Sequence, residues 1–192
     1  MGSFFVILSV SKIYLMQLRP HQEKAIQAMS RHDKGQVIVP TGGGKTICMI
    51  HDAIEQFKSD RLKTIVVVAP RILLANQLCE EFLEFIDDVD VLHVHSGETH
   101  HTSTTKSKVI EEWYWSSKKH QLIFTTYHSL HKIQDATAML PDTVYFDEAH
   151  NAVQKNFIEA VEHHSMYVVR NYFFTATPKH SFTPFKTGMN DT

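Results

Sequence analysis

The densest chemical signal in the chain is Pro40-Thr41-Gly42-Gly43-Gly44-Lys45-Thr46. It follows a short β-branched run, Gln36 to Val39, and opens a stretch with helical spacing. That is the setting in which backbone N–H groups wrap an anion. Consecutive glycines let the chain curl inward where a Cβ would intrude, and a helix start adds partial positive charge. Lys45 has the reach for the outer phosphates of a nucleotide, and the Thr46 hydroxyl is placed to ligate Mg²⁺. The full pattern G-x-x-x-x-G-K-[ST] has glycine where this chain has Val39. Taken alone, the motif also fits a glycine-rich turn that only caps a helix.

A second signal lies far downstream. Val144-Tyr145-Phe146-Asp147-Glu148-Ala149-His150 is an apolar run that ends in two adjacent carboxylates. On an extended chain adjacent side chains point in opposite directions, so Asp147 and Glu148 are expected to take different tasks. Next to a phosphate loop, the strand-end Asp holds Mg²⁺ and the neighbouring Glu polarises an attacking water. Mg²⁺ keeps several waters, so Asp147 and Thr46 suffice as protein ligands.

With Thr175-Ala176-Thr177-Pro178 downstream, the set resembles the first RecA-like lobe of a superfamily 2 helicase or translocase of the DEAD/DEAH-box type. The resemblance covers about residues 17–180. Its details are nearest to the branch of phage recombination helicases, the excision-repair helicase and restriction-enzyme motors. Within that family the departure at Val39 is common. Leu18-Arg19-Pro20-His21-Gln22 resembles the family's opening motif, which gives Gln22 the adenine edge and implies ATP. Ala69-Pro70-Arg71 and Thr125-Thr126-Tyr127 resemble motifs that touch the phosphates of the tracked strand. The resemblance therefore implies Pro70, Arg71, Thr125 and Thr126 as nucleic-acid contacts, and His150, Thr175 and Thr177 as the coupling between nucleotide state and grip. Each has a plain structural alternative: Arg71 as a helix start, the threonines as strand residues, Gln22 as a first-turn helix residue.

The elements that must position these residues are legible as alternating patterns. Apolar runs occur at 36–39, 64–69, 91–94, 122–126, 144–146 and 172–175. Helical spacing links Ala25/Ile26/Met29, Ile47/Ile50/Ile54/Phe57, Leu74/Leu78/Phe82/Phe85, Val109/Trp113 and Val153/Phe157/Val161. Strands buried on both faces and separated by helices predict an α/β domain, a mainly parallel sheet with helices on both faces. The stretch 95–108, rich in His, Ser and Thr, reads as a mobile surface loop. Its histidines, with His93, have only Glu98 at ligand spacing, which argues against a metal site. Trp113 is expected in the core, and nothing supports base stacking by Trp115.

With 192 residues, 43% hydrophobic and 21% charged, the chain is ordinary globular material for one domain. A net charge of −2 removes any argument from a basic overall field, so nucleic acid must be held by placed residues. Protonating its 14 histidines would swing the charge well into the positive range. The two cysteines, Cys48 and Cys79, form no CxxC pair, which favours a reducing, cytoplasmic-type compartment over secretion, and Cys48 reads as a small core hydrophobe. Phe4 to Leu8 is far shorter than the roughly 20 residues of a membrane span and lacks the flanks of a signal peptide. Residues 1–15 are then either an extra strand or an extension upstream of Met16.

The lobe is expected over 16–180, with 181–192 as a tail. The resemblance implies a second RecA-like lobe, and none fits within the residues after Pro178. An arginine finger from that lobe is worth roughly 10³–10⁵ in turnover. The chain alone should therefore bind MgATP weakly and hydrolyse it slowly, as a fragment or with a partner in trans. The leading expectation is the ATP-binding lobe of a nucleic-acid motor, with DNA favoured over RNA and no membrane partner. The alternative is a single-lobe, ATP-sensitive clamp for nucleic acid or protein. The absence of Asn-Lys-x-Asp argues against a GTPase.

Overall fold

The computed structural model describes residues 12–177. Phe4 to Leu8 and Pro178, with the tail beyond it, lie outside the described residues. Six strands form one sheet in the spatial order β1-β6-β5-β2-β4-β3, every neighbouring pair parallel. They are β1 (Lys34–Ile38), β2 (Thr64–Ala69), β3 (Val89–Val94), β4 (His120–Thr126), β5 (Thr143–Phe146) and β6 (Arg170–Thr175). The helices between them are α1 (Pro20–Arg31), α2 (Lys45–Gln56), α3 (Ile72–Leu83), α4 (Ser107–Ser116), α5 (Leu130–Gln134) and α6 (Ile158–Tyr167).

Side-chain alternation along the strands builds two cores. Ile65, Val67 and Ala69 face one side with Phe124, Tyr145 and Phe174, beneath Met29 of α1, Met49 and Ile50 of α2 and Leu78 and Phe82 of α3. Val66 and Val68 face the other with Ile123, Phe146 and Phe173, against Ile110 of α4, Leu130 and Ile133 of α5 and Val161 of α6. The expected α/β architecture, with helices on both faces of a parallel sheet, is therefore present. Ile13 is buried in the first core, so the packed unit takes in a residue before Met16.

A polar network also ties the first layer together. Arg170 pairs with Asp52 of α2 at 2.8 Å and donates to the Met29 carbonyl of α1 at 3.1 Å. Tyr145 donates to the same Asp52, and Tyr172 donates to the Met29 and His32 carbonyls.

Two expectations are corrected. The helix foreseen from Val153 starts only at Ile158. Ahead of it, the Asn151 side chain donates to the Glu148 carbonyl, and Gln154 donates to Asn151 Oδ1. Such side-chain bonds compete with helix and hold the segment in turns, with a short 3₁₀ stretch at Ala149–Asn151. The histidine loop is not a loose surface segment: His93 and His95 are buried. Backbone bonds from His93 N–H to Thr102 (2.9 Å) and from Thr104 N–H to His93 (3.0 Å) fold residues 95–104 back onto β3.

Candidate nucleotide site and strand-end row

In a parallel sheet the connections leave every strand at the same edge, where ligands bind in open α/β folds. Along that edge the chemistry-bearing residues fall in spatial order. The glycine loop follows β1, Thr175 ends β6, Asp147 and Glu148 follow β5, Pro70 and Arg71 follow β2, Thr125 and Thr126 end β4, and the histidines end β3.

The loop's shape depends on its glycines. Gly42 and Gly44 hold φ values of 72° and 76°, and Gly44 caps α2. A Cβ on Gly43 would meet the Pro40 carbonyl at 2.7 Å, and one on Gly44 would meet Gln22 Nε2 at 2.4 Å. Beside Gly42 there is open space. Three side chains at the start of α1 grip the loop from outside. Arg19 donates to the Gly42 carbonyl at 3.0 Å, His21 Nε2 lies 2.8 Å from that of Gly43, and Gln22 donates to those of Gly43 (3.1 Å) and Gly44 (3.2 Å). The Gln22 oxygen accepts from Arg19 N–H at 2.8 Å, capping α1. Gln22 is thus buried with its amide committed to the loop. Arg19 and His21 were named in the opening motif, but nothing in their residue types announced this grip.

Opposite the loop, Lys45 meets both carboxylates. Its Nζ lies 2.9 Å from Asp147 Oδ1 and also donates to Glu148 Oε1. The two acids do not diverge as on an extended strand. β5 ends at Phe146, and Glu148 turns into the left-handed region at φ 47°, bringing its carboxylate to the same ammonium. A side chain other than glycine tolerates that region at a cost. Asp147 is fixed further by its N–H to Val68 (2.8 Å) and by Tyr127 O–H to its carbonyl (2.7 Å).

Burial raises the Asp147 carboxyl above its ordinary value, with Lys45 opposing and Glu148 reinforcing. Burial pulls the Lys45 ammonium down, but the two carboxylates outweigh it and hold it above its ordinary value.

The residues fit a magnesium nucleotide. The cradle leaves no room for a side chain at Gly43, and the buried Asp147 Oδ1 already meets a cation, the Lys45 ammonium, at 2.9 Å. Thr46 lies beside Glu81 of α3, a carboxyl raised by burial and lowered by its hydrogen bond with Thr46. Sequence reading did not single out Glu81, because its helix lies elsewhere in the chain.

The remaining predicted residues separate into two kinds. Arg71 is exposed at the N-cap of α3 and Pro70 is half-buried. Thr125 and Thr126 are buried, their hydroxyls held by the Val94 carbonyl (2.7 Å) and by Ser129 N–H (3.3 Å). His150 Nδ1 lies 3.5 Å from Glu148. Thr175 Oγ1 bonds both the carbonyl and the N–H of Thr177, and its own carbonyl accepts from Val39 N–H at 3.0 Å, just ahead of the glycine loop. Trp113 is half-buried against the second core, and the exposed Trp115 donates to the Ala138 carbonyl.

No curated protein matches the chain by sequence. A family model described as Type III restriction enzyme, res subunit, matches residues 15–180. Solved structures share the fold. A nuclease-deletion mutant of the Type ISP restriction-modification enzyme LlaGI, in complex with a DNA substrate mimic, superposes with TM-score 0.68 and 23% identity, over 92% of this chain and 19% of that one. The Hef helicase domain of Pyrococcus furiosus gives 0.64 and 20%, over 87% of this chain and 34% of that one. The UvsW helicase of bacteriophage T4 gives 0.60 and 12%, over 88% and 55%. The chain thus spans between about a fifth and about half of these structures' lengths. On the family match over residues 15–180 and the shared parallel sheet, the chain belongs to the Type III restriction enzyme res-subunit family and forms a RecA-like lobe of the superfamily 2 helicase type.

Proposed function

We propose that this lobe binds MgATP and, completed by a second RecA-like lobe in cis or from a partner in trans, hydrolyses it to move along nucleic acid. The convergence of Lys45, Asp147 and Glu148 beside the glycine loop carries the reading. Lys45 releases the carboxylates and takes the outer phosphates. Asp147, once Lys45 has left it, and Thr46 would hold Mg²⁺, whose charge would offset that of the phosphates. Glu148 accepts the proton of the attacking water. Gln22 reads the adenine edge, which requires its amide to let go of the Gly43 or Gly44 carbonyl.

Arg71, exposed at the end of β2, contacts the strand's phosphates, with Pro70 and the backbone at Thr125 and Thr126 shaping the same surface. His150, beside Glu148, and Thr175, bonded to Val39 ahead of the loop, carry nucleotide state toward that grip. DNA is the favoured track, because the restriction enzyme LlaGI, of the same fold, is described in complex with a DNA substrate mimic. Among the described residues no helix is long and apolar enough to cross a membrane.

The test is ATP turnover by the 192-residue chain, with and without single- and double-stranded DNA and RNA, beside Lys45→Ala. The reading expects slow turnover, raised by DNA or by an added second lobe and lost in the variant. Fast turnover indifferent to every nucleic acid would place the chain in another class of phosphate-loop enzyme.

A further inference from the structure

At the far end of the strand-end row, past the β4 turn, sits a cluster that the nucleotide chemistry does not use. His93, on β3, is fully buried. The ring of His101 stacks on it with centroids 5.5 Å apart and planes 9° apart. Cys79, buried on α3, brings its thiol to the same spot. One ligand atom each from Cys79, His93 and His101 lies within 4.8 Å of the others.

The histidines alone looked unpromising because the sulfur ligand comes from a helix across a loop and a strand. The return of residues 102–104 along β3 fixes the arrangement, since the Thr102 carbonyl that accepts from His93 N–H adjoins His101. Against the loop lies an open cavity of about 770 Å³ whose wall includes Glu80, Glu98 and His100.

Core packing does not account for His93. Its Nδ1 meets His95 Nε2 at 3.0 Å, but its Nε2 is buried without a hydrogen-bond partner. A buried polar atom left unpaired is costly, and such exceptions call for a missing partner. The Asn76 Oδ1 atom, in the same cavity wall, is unpaired as well.

We propose that Cys79, His93 and His101 form a binding site for a divalent metal of the zinc type, which clamps residues 95–104 onto α3. One sulfur and two imidazole nitrogens are a borderline-soft set that suits Zn²⁺, whereas Mg²⁺ and Ca²⁺ take oxygen. Tetrahedral coordination at zinc bond lengths sets such ligand atoms about 3.3–3.6 Å apart. An adjustment of the half-buried His101 on its loop closes the gap from 4.8 Å.

Binding forms one metal–sulfur and two metal–nitrogen bonds, and the thiol proton leaves to solvent. The proton shared by the two rings then resides on His93 Nδ1 and is donated to His95 Nε2, as a ligating imidazole ordinarily arranges its second nitrogen. The proton displaced from His93 Nε2 is taken up at His95 Nδ1, so the bond that yields is the 3.2 Å contact from Gly97 N–H to that atom. A water, or one of Glu80, Glu98 and His100, completes the coordination.

The test uses untagged protein, stripped by chelator and titrated with Co²⁺, then with competing Zn²⁺. The proposal expects one Co²⁺ per chain with thiolate-to-cobalt charge-transfer absorption, displaced by Zn²⁺, and a higher Tm with Zn²⁺. Cys79→Ser should lose the absorption band. His101→Ala should weaken Co²⁺ at least tenfold and abolish the Tm rise, while His32→Ala, at a distant surface, should change neither. If Cys79→Ser fails to fold by circular dichroism, His101→Ala decides. Wild-type protein without the band, or His101→Ala binding as tightly as wild type, overturns the site.

Discussion

At the scale of single residues, the ammonium of Lys45 lies between two carboxylates in the place where a phosphate and a metal would divide it from them. Glu148 is the residue whose removal separates chemistry from binding. Glu148→Gln keeps the side chain's shape and loses its basicity. It should retain MgATP binding and lower nucleic-acid-stimulated turnover by roughly 10²–10⁴-fold, the range for loss of a general base. An ATP-sensitive clamp would be indifferent to the change, so equal function of the two proteins in turnover and strand release would contradict the motor reading.

Gly44→Ala should weaken the nucleotide site, because its φ of 76° lies in the left-handed region that strains any side chain. Calorimetry should show nucleotide affinity reduced at least tenfold. Residue types made Lys45, Thr46, Asp147 and Glu148 legible at once. They did not disclose that Glu148 leaves the extended conformation, or that Arg19, His21 and Gln22 converge on three consecutive carbonyls. Those are properties of backbone turns and of chain-distant packing.

At the scale of elements, the strands were the most legible part. Near-continuous β-branched runs such as Thr64–Ala69 have no other home than a strand buried on both faces. Helix starts were less legible where an Asn side chain bonds local backbone and a Gln side chain bonds that Asn, as before α6. The histidine loop was the hardest, since its order comes from backbone bonds that return it to β3.

Element-scale energetics give two tests. Arg170 joins α1, α2 and β6, and its loss leaves Asp52 buried and uncompensated. Arg170→Ala should cost roughly 3–5 kcal/mol in urea unfolding. A loss under about 1 kcal/mol, the scale of a surface pair, would show that the network carries little. His164 is buried on α6 with Nδ1 2.8 Å from the Ala160 carbonyl, and burial lowers its pKa from 6.5 to about 4. The folded state therefore binds fewer protons than the unfolded chain between those values. Stability should be complete above pH 6.5 and fall toward pH 4, by up to roughly 3 kcal/mol at about 1.4 kcal/mol per unit. Urea midpoints across that window should decline less in His164→Leu, and parallel curves would assign the acid sensitivity to other groups.

At the scale of the whole molecule, one sheet edge orders the candidate residues: the glycine loop at one end, the carboxylates near the middle, the turns proposed to grip the strand beyond them. In the proposed function that row faces nucleotide and track together, so a chain of net charge −2 would hold nucleic acid through placed groups. In the holo complex, Arg71→Ala should lower the slope of log affinity against log salt by roughly 0.7–0.9, one phosphate contact's worth. An unchanged slope would return Arg71 to its part as the residue that starts α3. The order of strands in space was not readable from the chain, because parallel crossovers permit several orders for the same run of elements.

The most direct check of the central claim is calorimetric titration of the 192-residue chain with ATP and Mg²⁺, beside Lys45→Ala and Asp147→Ala. The account predicts measurable binding by the wild-type lobe, no detectable binding by Lys45→Ala, and loss of the Mg²⁺ dependence in Asp147→Ala. Equal affinity in all three proteins, folded by circular dichroism, would contradict it and leave the glycine loop as a helix cap.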